Sequence, residues 1–245
     1  MNIDKISVVI PILNEEKNLI NLINEIKKIK KKVRLKRFEV IFVDDNSSDG
    51  TKNVIKFLIK KNNFIRYFIR KEKNKDLSKS CILGFKKSHY ENIIVMDGDL
   101  QHPPRFIEHM SKKFFFNDAD IVVGSRNLFN QKDPGLSLPR YYSSVIIIHF
   151  INFFLENKTS DPLSGFFIFK KKIYVKNRKK LYAKGYKILA DLIYSTDEKL
   201  KILDQNIFFD TRKSGKSKMN IDVLIKLLIF ILRNFLIKWK KKLLT

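Results

Sequence analysis

The segment Asn92-Ile-Ile-Val-Met-Asp97-Gly98-Asp99-Leu-Gln101-His102-Pro103-Pro104 constrains the fold most, because a short apolar run stops abruptly in two carboxylates and then in a proline pair. Such a run reads as a buried strand that delivers acidic side chains to its C-terminal edge. In open α/β sheets that edge is where ligands bind. Two carboxylates one residue apart, with a glycine between them to let the backbone bend, suit a hard divalent cation, Mg2+ or Mn2+, whose shell is usually completed by water and substrate phosphates. Taken alone, Asp-Gly-Asp is more often an acidic turn closing a strand than a metal site. The rest of the chain has to decide between them.

The same grammar recurs upstream. Ile6 to Pro11 is an apolar strand, followed across a short loop holding Glu15 by an amphipathic run through Leu19, Ile20, Leu22, Ile23 and Ile26. Phe38 to Val43 is a second strand; it ends in Asp44-Asp45-Asn46-Ser47-Ser48-Asp49-Gly50-Thr51, after which Val54, Ile55, Leu58 and Ile59 mark a helix. Strand, polar turn, helix and strand again is the βαβ pattern, which predicts a parallel sheet with right-handed crossovers. Phe64 to Ile69 is a third strand, and Asp76 to Phe85 opens a third helix before the Asp97 strand. Asp45 therefore stands at the same sheet edge as Asp97 and Asp99, where a carboxylate commonly accepts from a nucleotide. Asp49 reads better as an Asx turn or helix cap.

Beyond the strand Ala119 to Arg126 the alternation breaks. Tyr141 to Leu155 is apolar and aromatic, but His149 and Asn152 interrupt it and it falls short of the about 20 apolar residues a bilayer span needs. It reads as a buried helix or as one lying against lipid. Asp161 to Phe166 is a turn into the strand Phe167 to Phe169. Gly185 to Ile193 reads as a helix, Ile202 to Phe209 as a last strand, and Arg212-Lys213-Ser214-Gly215-Lys216-Ser217-Lys218 as a basic glycine-hinged loop suited to clamping a diphosphate. Its Gly-Lys-Ser lacks the first glycine of a P-loop, so that reading is rejected. The tail from Ile221 is an apolar helix that ends in Trp239 and the Lys240-Lys241-Lys242 cluster, the pattern of a helix at a membrane interface; packing on the domain itself is the alternative, and the charges argue against a transmembrane span. At 100° per residue Leu224, Leu228, Ile231, Leu232 and Phe235 fall on one side, with Lys226, Arg233, Asn234 and Lys238 opposite.

The 245 residues carry a formal net charge of +25. Nucleic-acid binding, attraction to anionic lipid headgroups, and a genome rich in Lys, Asn, Ile and Phe codons all compete to explain it. Nucleic acid is the poorest fit: the lysines are scattered, no nucleic-acid module appears, and acidic residues cluster at the strand ends. The single cysteine, Cys81, excludes an internal disulfide and suits a reducing compartment. The first residues enter a strand with no apolar h-region, so no secretory signal is expected.

Taken together, Ser7 to Pro11 with Asn14-Glu15, Val43 to Thr51, Asp76-Leu77-Ser78 with Gly84-Phe85, Met96 to Pro104, Gly124-Ser125-Arg126, Asp161 with Ser164-Gly165-Phe166, and Arg212 with Gly215 to Lys218 resemble the family 2 glycosyltransferases of GT-A fold. More narrowly, they resemble polyprenyl-phosphate sugar synthases of the dolichol-phosphate mannose synthase type. The resemblance runs from Ile6 to about Met219 and is most specific at Asp97 to Pro104.

The resemblance implies an α/β GT-A domain, Rossmann-like with a mostly parallel sheet, over residues 1–219, and a membrane-interface helix over 220–245. It implies a metal held by Asp97, Asp99 and Gln101, and a nucleotide pocket formed by Pro11, Leu13, Glu15, Val43, Asp45 and Gly98. Arg126, Arg212 and Lys218 would clamp phosphates, Arg140 and Ser144 would hold a lipid phosphate, and Asp161 would orient or act as general base. The expected reaction is metal-dependent, inverting transfer of a hexose from GDP-mannose or UDP-glucose to a polyprenyl phosphate at the cytoplasmic membrane face. A family 2 transferase with a soluble or polysaccharide acceptor is the alternative. Leu13 departs from the family where an aromatic is frequent, Gly98 replaces the more usual alanine, and Arg105 follows the proline pair where Glu is common.

Overall fold

The computed structural model describes residues 5–33, 37–125, 147–151, 153–154, 158–185, 187–208, 229–237 and 239. Seven strands form one sheet: β1 (Ile6–Ile12), β2 (Phe38–Asp44), β3 (Ile65–Ile69), β4 (Asn92–Val95), β5 (Ile121–Ser125), β6 (Phe167–Lys170) and β7 (Ile202–Asn206), in the order β3-β2-β1-β4-β6-β5-β7. β1 pairs in parallel with β2 on one side and β4 on the other, and β2 pairs in parallel with β3. Every residue of β1 and β2 is buried, as strands covered on both faces require.

β6 is the exception to the parallel expectation. It runs antiparallel between β4 and β5, with Val95 opposite Phe167, so the chain that precedes it returns to the tip of β4. β5 ends and β6 begins at the C-terminal edge of the sheet, so β6 runs against both of its neighbours. β5 and β7 then pair in parallel.

The helices are α1 (Leu19–Lys32), α2 (Thr51–Lys61), α3 (Leu77–Lys87), α4 (Phe106–Phe116), α5 (Lys171–Asn177) and α6 (Ile188–Tyr194). Residues 147–151 and 229–237 are also helical. In α1 the buried residues Leu19, Leu22, Ile23, Ile26 and Ile29 recur every three or four positions, which lays one apolar stripe on the sheet. Its last turn carries Lys30, Lys31 and Lys32, cations placed where the helix dipole favours them. One core lies between the sheet and α1, α2 and α4, and the other between the sheet and α3, α5 and α6.

α1 and α4 are also joined by charge. Glu108 receives Lys32 at 2.7 Å and Lys112 at 2.8 Å. The two ammonium groups hold its carboxyl down at about 2, against an ordinary 4.5. Its stabilising contribution is therefore complete above the ordinary value and is lost as pH falls toward 2. Glu108→Gln should flatten the acid limb of thermal stability in that window and leave stability above it lower and level, read from melting midpoints across pH.

Ile148 and Ile151 are fully buried, whereas Phe150 and Phe153 are 48% and 83% exposed. The 229–237 helix packs beside them, with Phe154 and Phe235 in edge contact at 5.3 Å. Its faces differ from the helical-wheel expectation. Asn234 is buried, donating to the Phe230 carbonyl, while Leu232 is 60% exposed. The helix seats Phe230 and Ile231 in the core, and that rotation turns Leu232 and Leu236 outward. Among the described residues no helix is long and apolar enough to cross a membrane.

Candidate active site

The parallel strands deliver their C-terminal tips to one edge. Ile12 lies opposite Asp44 in the register, and Val9 opposite Val95. The first two tips are laced together: Ser47 Oγ accepts from the Asn14 amide at 2.9 Å, and Asn14 Oδ1 accepts from the Ser48 amide at 2.9 Å. The Glu15 amide donates to Thr51 Oγ1 at 2.9 Å, and the Glu15 carboxylate accepts from Asn18 Nδ2 at 2.8 Å. Asn14, Asn46 and Leu100 all sit at positive φ, at 57°, 60° and 65°. Asparagine tolerates that region, but leucine occupies it only where its surroundings enforce it. At Leu100 the turn brings the Gln101 amide back to Asp99 Oδ1 at 3.1 Å.

The adjacent carboxylates Asp44 and Asp45 have different tasks. Asp44 accepts from the Ser47 amide and hydroxyl and from Tyr67 Oη, which braces the β2 turn and pushes the phenol pKa of Tyr67 up, burial being the larger cause. Asp49 likewise closes its turn, accepting from the amides of Thr51 and Glu16, as its Asx reading predicts. Asp45 is 5% exposed and is held by Arg70 and by the Asp76 amide. Burial raises its carboxyl above the ordinary range, with those hydrogen bonds and Arg70 opposing.

Asp97 and Asp99 diverge in exposure. The Asp97 side chain is 37% exposed at the tip of β4, whereas Asp99 is 4% exposed. His102 is buried beneath Asp97: its Nδ1 accepts from the Asp97 amide at 3.0 Å, and its ring stacks on Phe166 at 5.4 Å. With Nδ1 accepting that amide, the ring's donor is Nε2. The loop before β6 closes the other side. A Cβ added at Gly165 would come 2.9 Å from Asp97 Oδ2 and 3.0 Å from His102 Cε1, so only glycine lets the two segments approach this closely. Gly98 has a similar reason, since an added Cβ would lie 2.9 Å from Ile12 Cγ2.

Pro11 and Val43 are buried beneath the edge, and Leu13, Glu15 and Gln101 are partly exposed on it. Asp161 is fully buried; its carbonyl accepts from the Ser164 amide at 3.1 Å, and Ser164 Oγ donates to the Gly124 carbonyl at 2.7 Å. Arg126, Arg140, Ser144, Arg212 and Lys218 lie outside the described residues. The sequence reading missed the roles of Arg70, Lys75 and His102. The one available signal was that His102 follows the acidic pair within the same motif.

Among the described residues no cluster of three or more His, Cys, Asp or Glu side chains forms a metal cage. The oxygen chemistry of Asp97 and Asp99 nevertheless fits Mg2+ or Mn2+ completed by substrate oxygens and water. Gly165 keeps the space beside Asp97 Oδ2 clear of a side chain. Cys81, buried below, is not a competing ligand: burial first, then the charges of Asp97 and Asp76, raise its thiol pKa well above the usual range.

A doubly covered α/β sheet with an acidic pair at its C-terminal edge is the framework of an α/β enzyme that takes its ligand at that edge. The chain belongs to glycosyl transferase family 2, whose model matches residues 7–177. It is 31% identical to the dolichol-phosphate mannosyltransferase of Pyrococcus furiosus over 96% of this chain, and spans 64% of that protein's length. It is 28% identical to the protein of the same name from Saccharomyces cerevisiae, covering 91% of this chain and 84% of that one. Among solved structures, glucosyl-3-phosphoglycerate synthase of Mycobacterium tuberculosis, in complex with Mn2+, UDP-glucose and phosphoglyceric acid, superposes with a TM-score of 0.68 at 17% identity, over 94% of this chain and 79% of that one. That likeness establishes the shared GT-A fold.

Proposed function

We propose that this protein transfers a hexose, mannose first, from a nucleotide-diphosphate sugar to the phosphate of a polyprenyl lipid at the cytoplasmic face of a membrane. The observation that carries the reading is the convergence of Glu15, Asp45, Asp97 and Asp99 on one sheet edge, in a chain whose curated relatives are named dolichol-phosphate mannosyltransferases. The outward apolar side of helical residues 147–151 and 229–237, with Phe153, Leu232 and Trp239 exposed, supports a lipid-facing acceptor side. UDP-glucose is the second donor, on the strength of the fold shared with a UDP-glucose complex.

In this reading Glu15 and Asp45 hold the nucleoside, with Pro11, Leu13, Val43 and Gly98 shaping its pocket. Asp97, Asp99 and Gln101 hold the cation. When bound, that cation offsets charge on the diphosphate as it departs. Arg126, Arg212 and Lys218 add cationic hydrogen bonds to the same phosphates. Arg140 and Ser144 hold the lipid phosphate, whose ionised oxygen attacks the anomeric carbon as the bond to the nucleoside diphosphate breaks. The nucleophile is already anionic near neutral pH, so Asp161 orients more than it deprotonates, and positioning lowers most of the barrier. Residues 1–219 form the catalytic unit, and residues 220–245 supply the interface helix.

The test is a transfer assay with Mn2+, each donor, and polyprenyl phosphate in vesicles. A glycosyl phospholipid of inverted anomeric configuration is expected. Retention would exclude single displacement, and equal transfer to a soluble acceptor without lipid phosphate would establish the alternative acceptor class.

A further inference from the structure

We infer that Asp204 on β7 is a positioning residue for sugar transfer: its carboxylate fixes the turn at residues 159–161 and thereby sets where Asp161 stands. The inference deepens the transfer reading and rests on it, because that reading gives Asp161 the task of orienting the attacking phosphate.

The strand that carries the carboxylate is fixed from two sides. Val123 stands opposite Asp204 in the β5–β7 register, and Lys113 Nζ from α4 donates to the Asp204 backbone carbonyl at 2.6 Å. The two side-chain oxygens divide their work: Oδ1 accepts from Thr159 Oγ1 at 2.5 Å, and Oδ2 accepts from the Ser160 amide at 2.8 Å. A hydroxyl has one hydrogen and two lone pairs. With its hydrogen given to Asp204, Thr159 can meet the next amide only as an acceptor, and the Asp161 amide points at Thr159 Oγ1, at 3.4 Å. The carboxylate thus dictates the direction of every bond in the relay, a choice that a neutral side chain at 204 would not enforce. Thr159 is 4% exposed and Asp161 fully buried, so water is a poor substitute for these partners.

The other end of the same loop is held separately. Ser164 Oγ donates to the Gly124 carbonyl at 2.7 Å and accepts from the Phe166 amide at 3.1 Å, while the Gly124 amide donates to the Phe166 carbonyl at 2.8 Å. Gly165, the residue that abuts Asp97 Oδ2, belongs to this second end. A change at Asp204 therefore frees the 159–161 turn while Gly165, Asp97 and Asp99 keep their places. The acceptor should lose orientation and the donor should keep its seat.

Transfer kinetics of the full chain with Mn2+, GDP-mannose or UDP-glucose, and polyprenyl phosphate in vesicles test this, paired with calorimetry of Mn2+ with GDP or UDP. Asp204→Asn and Thr159→Val should each lower kcat by about 10- to 100-fold, the scale of a small misplacement of reacting groups, well below their melting midpoints and with nucleotide affinity unchanged. Thr159→Ser keeps the hydroxyl and should recover transfer. The double variant Asp204→Asn/Thr159→Val should be no slower than either single change, since both break one relay. Parent rates in Asp204→Asn or Thr159→Val, or losses that simply multiply in the double variant, would overturn the positioning role and leave the transfer reading standing. Nucleotide binding that falls in step with transfer would overturn it as well, by reducing Asp204 to a part of the fold. If Asp204→Asn does not fold, the contrast between Thr159→Val and Thr159→Ser decides. A parent enzyme that transfers nothing to polyprenyl phosphate would overturn both readings.

Discussion

Asp97→Ala should lower hexose transfer by about 10²–10³-fold or more, the scale seen when one preorganised electrostatic partner of a developing charge is removed. The structure explains why the loss should fall on chemistry and not on folding. The Asp97 side chain is 37% exposed, and the hydrogen bond from its backbone amide to His102 survives the substitution. Stability should therefore stay within about 0.5 kcal/mol of the parent, as for other substitutions away from packed features. Manganese binding followed by electron paramagnetic resonance should weaken in parallel with activity. Asp99→Ala should behave differently, because Asp99 is buried and its carboxylate holds the Gln101 amide; activity and the 99–101 turn should fail together. An Asp97→Ala enzyme that still transfers sugar would remove the metal role altogether.

The largest effect on stability is expected at Asp191→Ala. Asp191 is 3% exposed on α6, and its two oxygens accept from the amides of Tyr182 and Ala183 at 2.9 and 2.7 Å and from Ser195 Oγ at 2.9 Å. Truncation orphans two backbone donors, at about 1–3 kcal/mol each, so a loss of about 3–5 kcal/mol is expected from urea unfolding. Asp191→Asn keeps one acceptor oxygen and should lose about half as much. Burial raises the Asp191 carboxyl above its ordinary 3.8 despite those hydrogen bonds. The folded protein thus holds this proton to higher pH than the unfolded chain does. The associated stability is complete below 3.8 and is lost as pH rises through the folded value, and Asp191→Asn should be level across that interval.

The strand tips were legible because each apolar run ends in polar residues that cannot continue it. That pattern alone puts Asp45, Asp97 and Asp99 on one edge. α4 was not read, since Phe106–Phe116 follows a proline pair and its Arg105 cap makes no side-chain bond that sequence signals would reveal. α5 was missed for a related reason: seven residues, three of them in Lys171-Lys172 and Lys176, show too little periodicity. The direction of β6 could not be read from Phe167–Lys170, because an apolar run carries no sign of which way it pairs. The Arg70–Asp45 contact joins residues 25 apart in sequence, a distance at which no local rule operates. The outward turn of Leu232 was invisible for want of the surface that captures Phe230 and Ile231. A helical wheel ranks faces by polarity, whereas the fold chose the face that fills its core.

The placement of β6 carries a consequence for how the chain must be made. β4 reaches β5 only through β6, so its second edge waits for residues more than seventy positions later. On the ribosome, the first four strands can assemble early while a buried-type edge of Asn92–Val95 stays bare until Phe167–Lys170 emerges. Fragments ending before Phe167 should accordingly self-associate through that edge, and chaperone dependence should be concentrated in the interval of synthesis between the two strands.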